Sequence, residues 1–213
     1  MTYLEIVNKV LVRLRENEVT SLTENSYSKL IADLVNVVKR EIENAWNWDA
    51  LRETLTLTTA ADLFNYVLTG FGTTSRVLNV FNDTDDVHMY YRSSKWFDTQ
   101  FRMVDTVQKD GPMYYNWNGT SNGDLQVDVY PVPDGVYQLR FNIAKQQNDL
   151  SAATDVLLID ANLLIEGVVA RAISERGDDG GFMDQEARYK NMLADFIAIE
   201  AGRNPDEVTW YAE

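Results

Sequence analysis

The 213-residue chain lacks cysteine and contains a single histidine and only four prolines. Without cysteine, disulfide scaffolds and thiolate metal sites are excluded. His88 is the one imidazole available for a serine-type triad, and it lies in a predicted strand. We expect no nucleophile elbow to accompany it, and we interpret it as a structural or surface histidine. The sequence therefore predicts a protein that is not an enzyme, with no catalytic, cofactor or metal site.

Basic residues are also scarce. The chain has 19 lysines and arginines against 33 acidic residues, so its net charge is -14. An acidic surface repels phosphate backbones, which argues against nucleic-acid binding through basic patches. No apolar run approaches the roughly 18 residues that a membrane helix requires. The first residues show no basic start followed by an apolar run, so we expect no signal peptide either.

Helices are predicted at the beginning of the chain. Thr2 and Glu5 form a capping-box pattern before an apolar stripe that extends to about Arg15. Ser21 and Glu24 form a second such pattern, before helical spacing that continues to about Trp46. These two segments predict a helical hairpin.

A strand-rich region follows. Residues 54–59 alternate threonine with apolar side chains, which is the period of a β-strand. Turn residues separate further predicted strands, of which 133–135 (Pro-Asp-Gly) is the strongest hairpin signal. The predicted strands after the first are residues 64–68, 76–81, 87–91, 100–104, 114–117, 125–130 and 137–144.

Helices return near the end of the chain. Asp160 is the predicted N-cap of a helix that is apolar on most sides, either buried or held between subunits. A last helix is predicted from about Asp184, with Gly202 as its C-cap. The whole pattern predicts an α+β fold, in which terminal helices form a bundle and an antiparallel β-sandwich or barrel-like region is inserted. We predict helices over 1–50 and 148–202, the β region over 51–147, and a tail over 203–213.

Two side-chain clusters are candidates for a site. Four aromatic residues crowd the strand region: Trp96, Tyr114, Tyr115 and Trp117. They could form core, anchor a contact with a neighbouring protein, or stack on sugars. The second cluster, Asp83, Asp85 and Asp86, lacks the spacing of a calcium loop, which favours a solvated turn.

The order of elements resembles the head-to-tail adaptor proteins of tailed phages, of the tail tubular protein A type. The resemblance is carried by three stretches. Residues 22–25 (Leu-Thr-Glu-Asn) lead into a long predicted helix that closes on residues 44–48 (Asn-Ala-Trp-Asn-Trp), and residues 76–80 (Arg-Val-Leu-Asn-Val) are similar to the family's first sheet segment. Residues 125–137 are similar to its late hairpin, and a helix pair containing Tyr189 and Leu193 follows.

The resemblance implies a structural virion protein at the head-tail junction, assembled in the host cytoplasm. It implies a ring of twelve copies beneath the portal protein, which extends the DNA channel and carries the tail nozzle or tube. The C-terminal segment would reach the portal, with Val208, Trp210 and Tyr211 as anchors. The aromatic cluster would contact the tail or a neighbouring copy.

Charge is unevenly distributed along the chain, which indicates the side that faces DNA. Residues 174–213 carry 10 acidic and 4 basic residues, whereas residues 54–145 carry 10 and 7. We therefore expect the helical end to lie nearer the channel, where repulsion lets DNA pass without specific binding. Two alternatives stay open: a cell-wall (peptidoglycan) hydrolase or glycan-binding module, and another neck or head-completion protein.

Overall fold

The computed structural model describes residues 1–177 and 179–203. Two compact units are present: a helical unit of Met1–Leu51 with the segment from Gln146 onward, and a β unit of Arg52–Lys145. The described residues form five α-helices: α1 (Tyr3–Arg13), α2 (Ser26–Ala45), α3 (Ser94–Arg102), α4 (Ala161–Glu175) and α5 (Asp179–Arg203). They also form seven strands: β1 (Arg52–Thr58), β2 (Asn65–Val67), β3 (Arg76–Asn82), β4 (Val87–Tyr91), β5 (Tyr114–Ser121), β6 (Asp124–Tyr130) and β7 (Gln138–Ala144). The predicted α+β fold is confirmed.

The helix starts follow their capping residues. Thr2 and Glu5 make the predicted reciprocal capping box of α1, and Asp160 caps α4 through the amides of Asn162 and Leu163. The predicted capping box of the second helix is wrong, because α2 begins later, with Asn25 as its cap. Glu24 instead accepts hydrogen bonds from the backbone and hydroxyl of Thr20, 2.6 and 2.8 Å away.

The core of the helical unit surrounds α4. Its apolar residues are buried on nearly every side, and they belong to the same cluster as apolar residues of α1 and α2. Partly buried residues of α5, including Tyr189 and Leu193, pack against this cluster. The all-round apolar character of α4 is therefore accounted for within one chain, because the helix is the centre of its own unit.

The strands form one sheet in the order β1-β7-β3-β4-β5-β6-β2. Its pairs are antiparallel except for β4 and β5, which are parallel. Parallel neighbours require a crossover, and α3 lies in that connection. The predicted strand at 100–104 is therefore wrong: Ser93 caps a helix over most of this segment.

Of the predicted turns, the one at 121–123 closes a hairpin, whereas the one at 133–135 does not. Residues 133–135 connect β6 to β7, but these strands are not neighbours in the sheet, so the strongest predicted hairpin is wrong. Asn122 and Gly123 instead form a tight hairpin between β5 and β6, with φ values of 51° and 86°. Two central residues with positive φ match the twist of paired strands, and Asn-Gly is favoured there.

The β unit has its own apolar cluster, built from alternate residues of the strands. Val127, Val129, Leu139, Phe141 and Ile143 are fully buried in it. No described helix is long and apolar enough to cross a membrane.

Candidate interaction surfaces

The four aromatic residues of the predicted cluster lie in two separate groups. Trp96, on α3, is 4.9 Å from Tyr114 and 5.4 Å from Tyr130 between ring centroids. The guanidinium of Arg92 lies 5.1 Å from the Tyr114 ring and 5.8 Å from the Trp96 ring. All these side chains except Tyr130 keep some exposure, so this group presents aromatic rings and one cation at the surface.

Tyr115 and Trp117 lie on the opposite face of β5, because successive side chains of a strand alternate. Their ring centroids are 5.6 Å apart, and each ring lies about 6.5 Å or less from Phe141 of the buried cluster. Burial raises the pKa of the Tyr115 hydroxyl. This pair is therefore chiefly part of the core of the β unit.

A cleft of about 320 Å³ lies between α3 and the strands β2, β5 and β6. Three phenylalanines form its apolar side: Phe64, Phe97 and Phe101. The Phe64 and Phe101 rings are 4.7 Å apart, and Phe97 and Phe101 are stacked at 6.0 Å. This side of the cleft is therefore apolar and aromatic.

The polar side of the cleft is centred on Asp128. The strand register places Asp128 between Asn65 on β2 and Asn116 on β5. Its carboxylate accepts hydrogen bonds from Asn65 Nδ2 at 2.6 Å and from Asn118 Nδ2 at 2.9 Å. Asn116 is 4% exposed and donates to Ser94 Oγ at 3.1 Å. Sequence reasoning missed this site, because alternation in β6 makes Asp128 resemble an ordinary outward-facing residue.

Both edges of the sheet have backbone groups directed outward. Thr59 N donates to Tyr137 O, so alternation along β1 turns the backbone of Thr54, Thr56 and Thr58 away from β7. The other edge is β2. Val129 N of β6 donates to Phe64 O, so by alternation the backbone groups of Asn65 and Val67 point away from β6. Such edges are able to accept a strand from another chain.

Charged groups inside the helical unit are paired. Lys39 and Glu43 have fully buried side chains, and Lys39 Nζ lies 3.1 Å from Glu43 Oε1. The same ammonium donates to Gln147 O at 2.6 Å. Burial raises the pKa of Glu43, although the Lys39 charge opposes this effect. The pair holds the segment after Lys145 against α2.

A second paired site joins three helices of the same unit. Glu166 of α4 accepts from Arg13 of α1 at 2.6 Å, and it also accepts from Gln185 of α5. Burial raises the pKa of Glu166, but the hydrogen bonds from Arg13 and Gln185 outweigh it and the net shift is downward. Both buried sites of this unit are thus satisfied internally.

Part of the outer face of α2 is apolar. Leu30 and Val37 are exposed and seven residues apart, so they lie two turns apart on one face. Val12 of α1 is also exposed. Such residues are candidates for contacts with neighbouring proteins.

Three sequence features that could suggest catalysis or metal binding have local structural explanations: a Gly-x-Ser-x-Gly spacing, the aspartate turn and His88. Residues 119–123 (Gly-Thr-Ser-Asn-Gly) have the Gly-x-Ser-x-Gly spacing, which sequence reasoning overlooked, but Ser121 precedes a hairpin turn rather than a strand-to-helix turn. Asp83 pairs with Arg140 at 2.9 Å, and Asp85 accepts from Asn82. His88 is exposed on β4 against the ring of Phe81. No group of three or more candidate metal ligands occurs among the described residues.

The predicted portal anchors, Val208, Trp210 and Tyr211, lie outside the described residues. The sequence model of the SU10 adaptor protein family matches residues 1–209. The match spans both units. A comparison with curated proteins finds no match.

Proposed function

Because the chain belongs to the SU10 adaptor protein family, we propose that this phage adaptor protein is a head-to-tail connector of the tail tubular protein A type. In this proposal it docks beneath the portal, extends the DNA channel and provides the platform to which the tail nozzle or tube attaches. The observation that carries the proposal is the length of the family match, which includes the helical unit and the β unit together.

Ring formation is the next step of the proposal. We propose a closed ring of twelve copies, in which each chain contacts its neighbours through heterologous surfaces. The exposed face of α2 around Leu30 and Val37 and the outward edge of β1 support such contacts, since both remain available in the single chain. Burial of an apolar face and pairing of an open edge both favour association.

The passage of DNA is supported by the distribution of charge. The β unit, residues 52–145, carries 11 acidic and 8 basic residues, whereas the rest of the chain carries 22 and 11. We propose that the helical unit faces the channel, where its excess negative charge repels the phosphate backbone. DNA would then slide through during ejection without being held.

Two sets of apolar and aromatic residues would make the contacts with partner proteins. We propose that Val208, Trp210 and Tyr211 anchor the C-terminal segment to the portal. At the other contact, Trp96 and Tyr114 are available to meet the tail or a neighbouring copy, because their rings are partly exposed beside Arg92. Tyr115 and Trp117 would support this surface from the core side.

The test is electron microscopy of the purified portal mixed with this protein. We expect rings seated on the portal, with density for this chain between the portal and the tail-facing end. A double variant with Trp210→Ala and Tyr211→Ala is compared with the single variant Trp96→Ala. The first should abolish portal attachment, whereas the second should leave it intact and weaken attachment of the tail. Absence of any ring or portal complex with the unaltered chain would reject the proposal.

A further inference from the structure

Asp128 is an unusual residue for its position. Its side chain lies on the sheet face that carries Asn65, Asn116 and Asn118, and the residue is only 9% exposed, which is rare for an aspartate. A carboxylate removed from water is costly unless a cation or several hydrogen bonds compensate it. Its hydrogen-bond partners among the described residues are the neutral amides of Asn65 and Asn118, and none of the described ion pairs includes it.

The two amides occupy only part of the carboxylate. One amide donates to Oδ1 and the other to Oδ2, whereas each carboxylate oxygen has room for two donors. The amides hold the group in a fixed orientation beside the cleft, which Asp128 itself lines. A bidentate donor arriving from the cleft could therefore satisfy both oxygens at once.

The other residues that line the cleft favour a donor of a particular shape and charge. The aromatic rings of Phe64, Phe97 and Phe101 line the same cleft as the polar residues. Asp98 adds a second carboxylate, and Asn116, a residue that is 4% exposed, contributes a side-chain amide that donates to Ser94 Oγ. A planar cation that stacks on aromatic rings and donates two parallel hydrogen bonds is a guanidinium, whereas an ammonium is a compact point charge.

We propose that this cleft is a binding site for the side chain of an arginine presented by a partner protein. The guanidinium would pair with Asp128 and stack against the phenylalanine wall. Arg102 also lines the cleft, and its Nε lies 3.4 Å from Asp98 Oδ1. Its positive charge would repel the guanidinium of an arriving arginine. The inference goes beyond the proposed function, because it holds for the β unit of the chain whether or not a ring forms.

The test uses the full-length ¹⁵N-labelled protein and the side-chain amide signals of Asn65, Asn116 and Asn118. N-acetyl-arginine amide is titrated against N-acetyl-citrulline amide, which has nearly the same shape without the charge. We expect saturable shifts of the three amide pairs with the arginine compound, with a Kd on the order of millimolar, as is usual for so small a ligand. The citrulline compound should produce no saturable shift, and N-acetyl-lysine amide should bind more weakly.

Asp128→Asn should weaken arginine binding by at least about tenfold, because it removes the buried charge. Asp105→Asn changes net charge equally at an exposed position outside the cleft and should leave the affinity unchanged. If Asp128→Asn does not fold, Phe101→Leu serves in its place and should also weaken binding, through loss of a ring face. Arg102→Ala should strengthen binding at low salt.

Equal shifts with arginine and citrulline compounds, or none with either, would overturn the inference. Tighter saturation of the same amide signals by calcium ions or by a peptidoglycan fragment would overturn it as well, because the cleft would then be a site of a different class.

Discussion

The two units of this protein differ in how their buried charged side chains are compensated. In the helical unit, the buried charged residues of the described segments, Lys39, Glu43 and Glu166, each have a partner of opposite charge. In the β unit, the buried Asp128 is held only by neutral amides and lies beside an open cleft. The first arrangement fixes the structure of a bundle, whereas the second leaves the carboxylate without an opposite charge among the described ion pairs.

Their surfaces differ in a related way. The helical unit carries most of the net negative charge and keeps its core closed around α4, whereas the β unit is closer to neutrality. The β unit exposes Tyr90 and Tyr91 and has open strand edges, whereas the exposed apolar residues of α1 and α2 are the aliphatic Val12, Leu30 and Val37. The two units therefore differ in net charge and in whether aromatic or aliphatic side chains are exposed.

The largest effect is expected where the internal pairing of the helical unit is broken. Lys39→Ala leaves the Glu43 carboxylate buried without its cation, which should lower the free energy of unfolding by about 3–5 kcal/mol. Arg40→Ala is the matched control, since its ion pair with Asp149 is exposed and should cost less than about 1 kcal/mol. Urea unfolding followed by circular dichroism measures both. Equal losses would show that the buried pair contributes nothing particular.

The close packing of the helical unit provides the next test. A Cβ on Gly167 would lie 2.6 Å from Val38 Cγ1 and 2.8 Å from the Tyr189 ring, so a methyl group at this position requires these side chains to shift. Gly167→Ala should therefore lower the free energy of unfolding by about 1–3 kcal/mol. Gly202→Ala is the control, because the space around it is open. Thermal unfolding measures both variants. A Gly167→Ala variant as stable as the unaltered protein would contradict this account.

A smaller loss is expected at the hairpin of the β unit. Gly123 has a φ of 86°, which a residue with a Cβ adopts at a cost of about 1–2 kcal/mol. Gly123→Ala should destabilise the β unit by that amount. Gly135→Ala, in open space and without a positive φ, should change stability little. Hydrogen exchange of the β5 and β6 amides distinguishes the two variants, and similar protection in both would argue against strain at the turn.

The smallest effect concerns pH. Hydrogen bonds from the backbone amides of Gly72 and Gly70 hold the pKa of Asp124 below its ordinary value of 3.8. Because the folded-state pKa is depressed, this stabilisation is fully present above pH 3.8 and is lost as the pH falls through the folded value. Asp124→Asn should therefore be less stable than the unaltered protein near neutral pH, with the difference shrinking in acid. The difference in stability is measured from the midpoints of urea unfolding at several pH values. A difference that stays constant with pH would contradict the prediction.

Much of the fold was predictable from local patterns. The capping box of α1, the N-cap of α4 and the positions of β3, β4, β6 and β7 follow from side-chain spacing, because capping and alternation depend only on neighbouring residues. Two of the failures concern strand pairing, which local patterns do not reveal. Residues 100–104 have strand-like side chains, but Ser93 caps a helix there, and a parallel neighbour requires a crossover. The Pro-Asp-Gly turn at 133–135 was misread because the sequence does not reveal which strands pair.

The candidate site was predictable only in part. Trp96 and Tyr114 meet as a surface group, whereas Tyr115 and Trp117 alternate to the other face of the same strand. The cleft around Asp128 could not be predicted, since Asn65 lies 63 residues from Asp128 along the chain. Nothing in the local pattern of β6 distinguishes a buried carboxylate from a solvated one.

By itself, the sequence determined the fold class, the acidic surface and the exclusion of cysteine chemistry, because composition and short-range periodicity set these properties directly. The tertiary structure alone decided the order of the strands, the pairing of Lys39 with Gln147, and the cleft in which Asp128 lies beside Asn65 and Asn118. The physical reason is that burial and long-range hydrogen bonds depend on which distant segments pack together. Those contacts are set by the energy of the whole fold rather than by any window of residues.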